Sequence, residues 1–246
     1  MATFKIRGQE FDKLVFIHLT KTAGGTLKDA VATEPSFSPL FVYNHYDWQQ
    51  YDRNKHNVIY GHPDAWLYGN IGKSLDNSGD RFAYITFLRH PITRTISHFY
   101  HLVNVDKGHV GERLRSYKDI NAFFASGDYH WEFNNYYCKV FSTHPKLRDN
   151  DDFERRTEEA RVNLQENLSF IGFQEYMGLS LLTLNSLLDV DLKIGAAVNI
   201  GDYSYQDITK ETLKKIVLLN EHDLKLYKLA HRIYLGNEFL KSNGVF

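Results

Sequence analysis

One cysteine, Cys138, stands in 246 residues, and methionine (two), tryptophan (three) and proline (five) are nearly as scarce. A lone thiol rules out an internal disulfide and any zinc centre built from several thiolates. An excess of one charge sign is missing too. Against 30 Asp and Glu stand 29 Lys and Arg, a formal charge of −1, so no global positive field draws nucleic acid or an anionic membrane. Nucleic acid is therefore not an expected partner, and a polyanionic ligand has to be held by local groups. Long apolar runs are absent near the start, where Lys5, Arg7, Glu10, Asp12 and Lys13 leave neither a signal-peptide core nor a membrane-spanning stretch. A soluble, cytoplasmic protein is expected. No repeat or linker-like segment interrupts the chain, so a single domain over 1–246 is expected as well.

Aromatic residues are plentiful, with 17 Phe and 16 Tyr in a chain that is 43% hydrophobic, the composition of a protein with a packed core. Twelve histidines make its charge responsive to pH between 5 and 8.

The most informative stretch runs from Phe16 to Leu27. Leu14, Val15, Phe16, Ile17 and Leu19 form an apolar run of the kind buried in a parallel sheet, and Thr20-Lys21-Thr22-Ala23-Gly24-Gly25-Thr26 follows it. Gly24-Gly25 are expected to make a tight turn into a helix over 25–32. The first amides of a helix lack intrahelical partners, and with the helix dipole behind them and Lys21 beside them they suit a phosphate. A Walker A loop is excluded, because Lys21 precedes the glycines. The ending Gly72-Lys73-Ser74 has Leu67 where that motif needs glycine, and reads as a surface turn.

Further along, 35–55 reads as a loop, and a second short strand over 57–60 stops at Gly61-His62, which puts His62 at a strand's carboxyl end, where open α/β sheets bind ligands. Residues 64–80 read as loop. A third strand, 82–88, ends at Arg89-His90-Pro91, with Pro91 suited to the first turn of a helix over 91–104. Ile92, Ile96, Phe99 and Val103 share one face of that helix, while His90, Arg94, Ser97 and His101 follow the spacing of the other, which is expected to meet a ligand. A loop over 105–118 carries Arg113, Arg115 and Lys118, more readily a solvated face than an acceptor site. Helices are expected over 119–126 and 131–142, then one opened by a capping box of Asp151 and Glu154, a strand over 168–173 and a helix over 177–188. Thr209 caps a last helical region with a break near Asn220. Strands alternating with helices predict a three-layer α/β fold with a mostly parallel central sheet.

Together, the lysine-led turn, Gly61-His62 and Arg89-His90-Pro91-Ile92-Thr93-Arg94-Thr95-Ile96-Ser97-His98-Phe99 resemble the sulfotransferases that use 3′-phosphoadenosine 5′-phosphosulfate (PAPS), in particular the branch of heparan sulfate and other carbohydrate O-sulfotransferases. Phe170-Ile171-Gly172-Phe173-Gln174-Glu175-Tyr176 and the stretch from Asn220 through Asp223 and Tyr227 to Ala230 are similar to that family's late motifs. Thr20 replaces its usual proline, and His90 its usual acid. The resemblance implies a P-loop NTPase-like form of the α/β fold, in which Lys21, Thr22, Ala23, Gly24, Gly25 and Thr26 hold the 5′-phosphosulfate while Arg89 and Ser97 grip the 3′-phosphate. It also implies a hydroxyl acceptor, with a carbohydrate foremost, 3′-phosphoadenosine 5′-phosphate (PAP) as product and no metal. His62 is the expected general base and Lys21 the expected catalytic cation, with His18, His98 and His101 as other histidines to weigh; His18, inside an apolar strand, is expected to be a hydrogen-bonded core histidine. Two alternatives stand beside this reading. A nucleotide-dependent kinase of the same fold class lacks its Gly-Lys-Ser/Thr and an acidic strand end for magnesium. A non-catalytic module binding nucleotides or sulfated glycans has no use for both Lys21 and His62.

Overall fold

A computed structural model describes residues 4–44, 46–62, 79–129, 131–142, 152–195 and 205–234. The chain forms two compact units, the first from Met1–Arg89, Arg161–Val198 and Leu229–Phe246, the second from His90–Ala160 and Asn199–Lys228.

The first unit is built on a five-stranded sheet. Its strands are β3 (Lys13–Ile17), β4 (Pro39–Val42), β5 (Val58–Gly61), β6 (Phe82–Leu88) and β7 (Leu168–Phe173), in the order β4-β5-β3-β6-β7. Every pairing in it is parallel. The α/β class with a parallel central sheet thus holds. Strands β1 (Phe4–Ile6) and β2 (Gln9–Phe11) form a separate antiparallel hairpin. Val15, Leu40, Val42 and Ile59 close into a buried cluster on the sheet. Lys13 is buried in the same strand because its ammonium donates to the carbonyls of Arg53 (2.5 Å) and His56 (2.6 Å). The chain runs from β3 through helix α1 (Gly24–Thr33) to one side of the sheet and later adds β6 on the other, so the order reverses between β3 and β6. Such a reversal opens a crevice at the strands' carboxyl ends.

Two expectations are corrected here, and a third falls partly outside the described residues. The 35–55 region holds β4 and a 3-10 turn, Asp47–Gln50, since Leu40 and Val42 alternate inward and pair with β5 despite the neighbouring prolines. The 105–118 region contains helix α3 (His109–Arg115), whose Gly111 and Leu114 are buried. The cap near 151 comes from Asp152, whose carboxylate accepts from the amide of Arg155 (3.1 Å); Asp151 lies outside the described residues. The readings for Gly72-Lys73-Ser74 and for most of 64–80 fall outside them too.

In the second unit, helix α2 (Pro91–Asn104) has the bounds its pattern predicts. Ile96 and Phe99 join Leu114, Phe123, Phe124, Phe133 and Ile216 in an aromatic-rich core that also takes in helix α4 (Ile120–Ser126). The expected helix over 131–142 is a 3-10 turn, Trp131–Phe133, followed by α5 (Tyr136–Phe141); α6 (Phe153–Val162) comes next, and α7 (Met177–Leu188), back in the first unit, has its expected bounds. Thr209 caps α8 (Lys210–Leu219) by accepting from Thr212 N (3.2 Å), and the break at Asn220 separates it from α9 (Glu221–Tyr234). Arg113 and Arg115 have structural work: the first pairs with Asp128, and the second donates to the carbonyls of Val103 (3.1 Å) and Asp106 (2.7 Å), closing the end of α2.

Two helix ends here cap one another. The Asp223 carboxylate accepts from the amides of Tyr137 (2.9 Å) and Cys138 (2.8 Å), while the Asn135 carbonyl oxygen accepts from those of His222 (3.0 Å) and Asp223 (3.3 Å). Each side chain answers first-turn amides that would otherwise be buried without partners. Burial pushes Asp223 up to about 6, opposed by those two amides and by Arg94 and Lys139.

Candidate functional site

The register of the parallel strands decides what meets at the sheet's carboxyl edge. Ile17 pairs with Gly61 and Gly61 with Val42, and the ladder runs one step further through His18 N to Gly61 O (2.8 Å) and His62 N to Val42 O (3.0 Å). Three consecutive strand ends therefore present His18, His62 and Tyr43 side by side. The rings of His18 and His62 stack at 4.4 Å and 24°, and Tyr43 stands edge-on to both, at 6.2 Å and 5.3 Å. Lys28, on α1, lies over the rings of Phe41 (5.2 Å) and Tyr43 (5.0 Å).

The loop between β3 and α1 departs from the sequence expectation. Its positive φ angles belong to Lys21 (65°) and Ala23 (69°), while Gly24 and Gly25 already lie in the helix. A non-glycine residue in the left-handed region costs about 1 kcal/mol, so the loop stores strain where the sequence suggested a relaxed glycine turn. Gly24 serves a different purpose: a Cβ there would lie 1.7 Å from His18 Nε2. Gly25 is exposed and a Cβ on it would meet nothing within 4 Å, which leaves the start of α1 open to a ligand. The first main-chain bond of the helix is Leu27 N to Ala23 O (3.2 Å), so the amides of Gly24, Gly25 and Thr26 precede its ladder. Thr22 is buried with its hydroxyl donating to Leu19 O (3.0 Å), which leaves only its main chain for a ligand.

Arg89 directly follows β6 at the same edge, with Nη1 reaching Lys21 O at 3.4 Å. Lys21, Gly24, Gly25, Thr26, His62 and Arg89 thus belong to one unit and one sheet edge. Ser97 is on α2 in the second unit, 7% exposed. Arg94, expected on a ligand-facing side of that helix, is instead fully buried: its guanidinium donates to Glu132 O and sits 4.5 Å from the centre of the Tyr136 ring. His98 is buried too, its Nε2 2.9 Å from Glu132 Oε2, and so is withdrawn from general-base duty. The His90 ring packs edge-on against Tyr227 at 5.4 Å.

Tyr43, Tyr60 and Lys28 were not singled out in the sequence. Tyr60 donates to Gly24 O (2.5 Å), tying β5 to the start of α1, and burial raises its hydroxyl well above the usual range. Burial likewise pushes Tyr43 up to about 12. The signal for Tyr43 was the apolar run Leu40-Phe41-Val42 ahead of it, hidden by Pro35 and Pro39.

The model of the sulfotransferase family matches residues 5–230. The chain belongs to the sulfotransferase family. Sulfuryl transfer is accordingly its reaction class. Among solved structures it is similar to mouse sulfotransferase SULT7A1 complexed with PAP, with 10% identity and a TM-score of 0.43 over 99% of this chain and 91% of that one. No curated protein matches. Among the described residues of this sulfotransferase, no helix is long and apolar enough to cross a membrane.

His18 was expected to be a hydrogen-bonded core histidine, but its buried Nδ1 has no hydrogen-bond partner among the described residues. Burial lowers its pKa to about 3, helped by His62, Lys28 and Lys21 nearby. Since the unfolded chain takes up a proton near 6.5 and the folded one does not, His18 contributes stability that is whole above pH 6.5 and lost as pH falls toward 3. His18→Asn should flatten the acid side of a urea-midpoint-against-pH curve by a few kcal/mol at most, about 1.4 per pKa unit. Asp223 acts with opposite sign, its contribution being lost as pH rises through about 6, and it is common to both proteins compared. An unchanged acid limb in the variant would assign the acid sensitivity elsewhere.

Proposed function

We propose that this sulfotransferase takes its sulfuryl group from PAPS and delivers it to a carbohydrate hydroxyl, releasing PAP, with His62 as general base, Lys21 as the catalytic cation and both units forming one functional domain. What carries the reading is the gathering of His62, the open start of α1 and Arg89 at one sheet edge, with Arg89 Nη1 3.4 Å from Lys21 O. The residues suit such a donor: Gly25 leaves room for an anion where the amides of Gly24, Gly25 and Thr26 begin the helix, and a guanidinium adjoins the loop before them. The likeness of the three motifs to carbohydrate O-sulfotransferases supports the acceptor class. A single buried thiol suits a reducing cytoplasm.

PAPS, when bound, supplies a sulfuryl group activated by its phosphate leaving group. His62 accepts the proton of the acceptor hydroxyl as the oxygen bonds to sulfur in line with the departing oxygen. The Lys21 ammonium and the amides of Thr22, Ala23, Gly24, Gly25 and Thr26 receive the charge that develops on that bridging oxygen as its bond to sulfur breaks. Arg89 and Ser97 hold the 3′-phosphate, which fixes the donor's direction, much as positioning dominates phosphoryl transfer. No step calls on a metal.

A screen with sulfur-labelled PAPS against glycans, phenols, lipids and simple alcohols tests reaction and acceptor together, and label appearing only on phenols or lipids would overturn the carbohydrate assignment. Magnesium-dependent ATP turnover would favour a kinase instead. Arg89→Ala should weaken PAP binding by about ten- to a hundredfold, the worth of hydrogen bonds to a charged group. Wild-type affinity by calorimetry would remove Arg89 from the donor site.

A further inference from the structure

The rings of His18 and His62 lie face to face at 4.4 Å, and His18 also abuts the start of α1, where a Cβ on residue 24 would collide with its Nε2. His18 is thus in contact with both the start of α1 and the proposed base. The groups facing it are His62 and Tyr60 from β5, Tyr43 beyond β4, and Lys28 and Lys21 on and before α1, with Asp29 acting on both tyrosines. Burial disfavours the charged ring, three of these groups are or become cationic, and none of those acting on His18 among the described residues is a carboxylate, so the ring stays neutral. A neutral histidine with an unbonded, buried Nδ1 is an expensive way to fill a core position that an apolar side chain would fill without the penalty. Its flat face is the feature that an aliphatic side chain could not supply.

We infer that His18 is a positioning residue for His62: stacked on the base and braced against Gly24, it sets the plane of the His62 ring and the spacing between the base and the donor-holding loop. The inference rests on His62 being the base. Gly24 opens the helix whose first amides are proposed to hold the donor, so His18 touches both that loop and the base. It takes no proton itself, and the proton that leaves the acceptor hydroxyl remains on His62.

The test compares His18→Ala, His18→Asn, His62→Ala and the double variant, reading kcat, KM for PAPS, and PAP affinity by calorimetry. His18→Ala should lower kcat by about ten- to a hundredfold, the cost of misplacing a reacting group by an ångström, while PAP affinity stays near wild type. The planar amide of His18→Asn should recover most of that loss. Adding His18→Ala to His62→Ala should cost nothing more, because a residue acting through another has no effect once the other is gone. Full kcat in His18→Ala alongside an inactive His62→Ala would overturn the inference and leave the base in place. Losses that multiply in the double variant, or a parallel loss of PAP affinity that asparagine does not restore, would overturn it as well and assign His18 a purely structural role. Active His62→Ala would instead remove the base, and the inference with it.

Discussion

His62→Ala lowers kcat by about two to four orders of magnitude, the usual contribution of a positioned general base, and leaves PAP affinity within the error of calorimetry. The separation is expected because the 5′-side anion is held by Lys21 and the amides that open α1, and none of these depends on the imidazole at the end of β5. Neither His98 nor His18 fills the gap. His98 is buried and occupied with Glu132 in the second unit, and His18 lies behind His62 in a site where a cationic ring is unfavourable. His101 is in the last turn of α2, four residues beyond Ser97. Turnover near wild type in the variant would mean that the acceptor loses its proton elsewhere, and the stacked pair would then be structural.

Arg94→Ala unfolds the protein more readily by about 3–5 kcal/mol, the range for removing one partner from a buried charged network. The guanidinium is fully buried, donates to Glu132 O and to Thr95 Oγ1 (3.4 Å), and lies over the rings of Tyr136 and Tyr137. Its charge also favours the ionised form of Asp223, the carboxylate that caps α5. Removing it strands a buried carboxylate and a carbonyl at once. Arg94→Lys should recover only part of the loss, since an ammonium cannot reproduce the planar fork or its stacking. A urea midpoint that moves by the equivalent of less than about 1 kcal/mol in the alanine variant would return Arg94 to the surface-like class of substitutions.

The contrast between Arg94 and Ser97 shows where helical spacing stops being informative. Both fall on the polar side of α2 by period, but that side is itself packed, and the Glu132 carbonyl and the aromatic pair Tyr136 and Tyr137, some forty positions on, make burial of an arginine tolerable. The same limit applies to Thr22, whose side chain turns inward onto Leu19 O. In the other direction, local signals served well. Pro91 and the apolar period set α2, Thr209 set the start of α8, and Asn220 marked its end, because caps and breakers act within one turn of the chain.

From its residues alone this chain declares an α/β fold, the strand before the lysine-led turn, the histidine and arginine at two further strand ends, and a sulfotransferase resemblance. These are properties of short segments, written in hydrophobic period and in residues with narrow backbone or charge preferences. The tertiary structure decided that β4 joins the sheet, that Lys21 and Ala23 rather than the glycines carry the strained turn, and that His18 stacks on His62. All three depend on the register between parallel strands and on the close approach of α1 to β3, which are set by pairings between segments far apart in the chain and leave no local trace in the order of its residues.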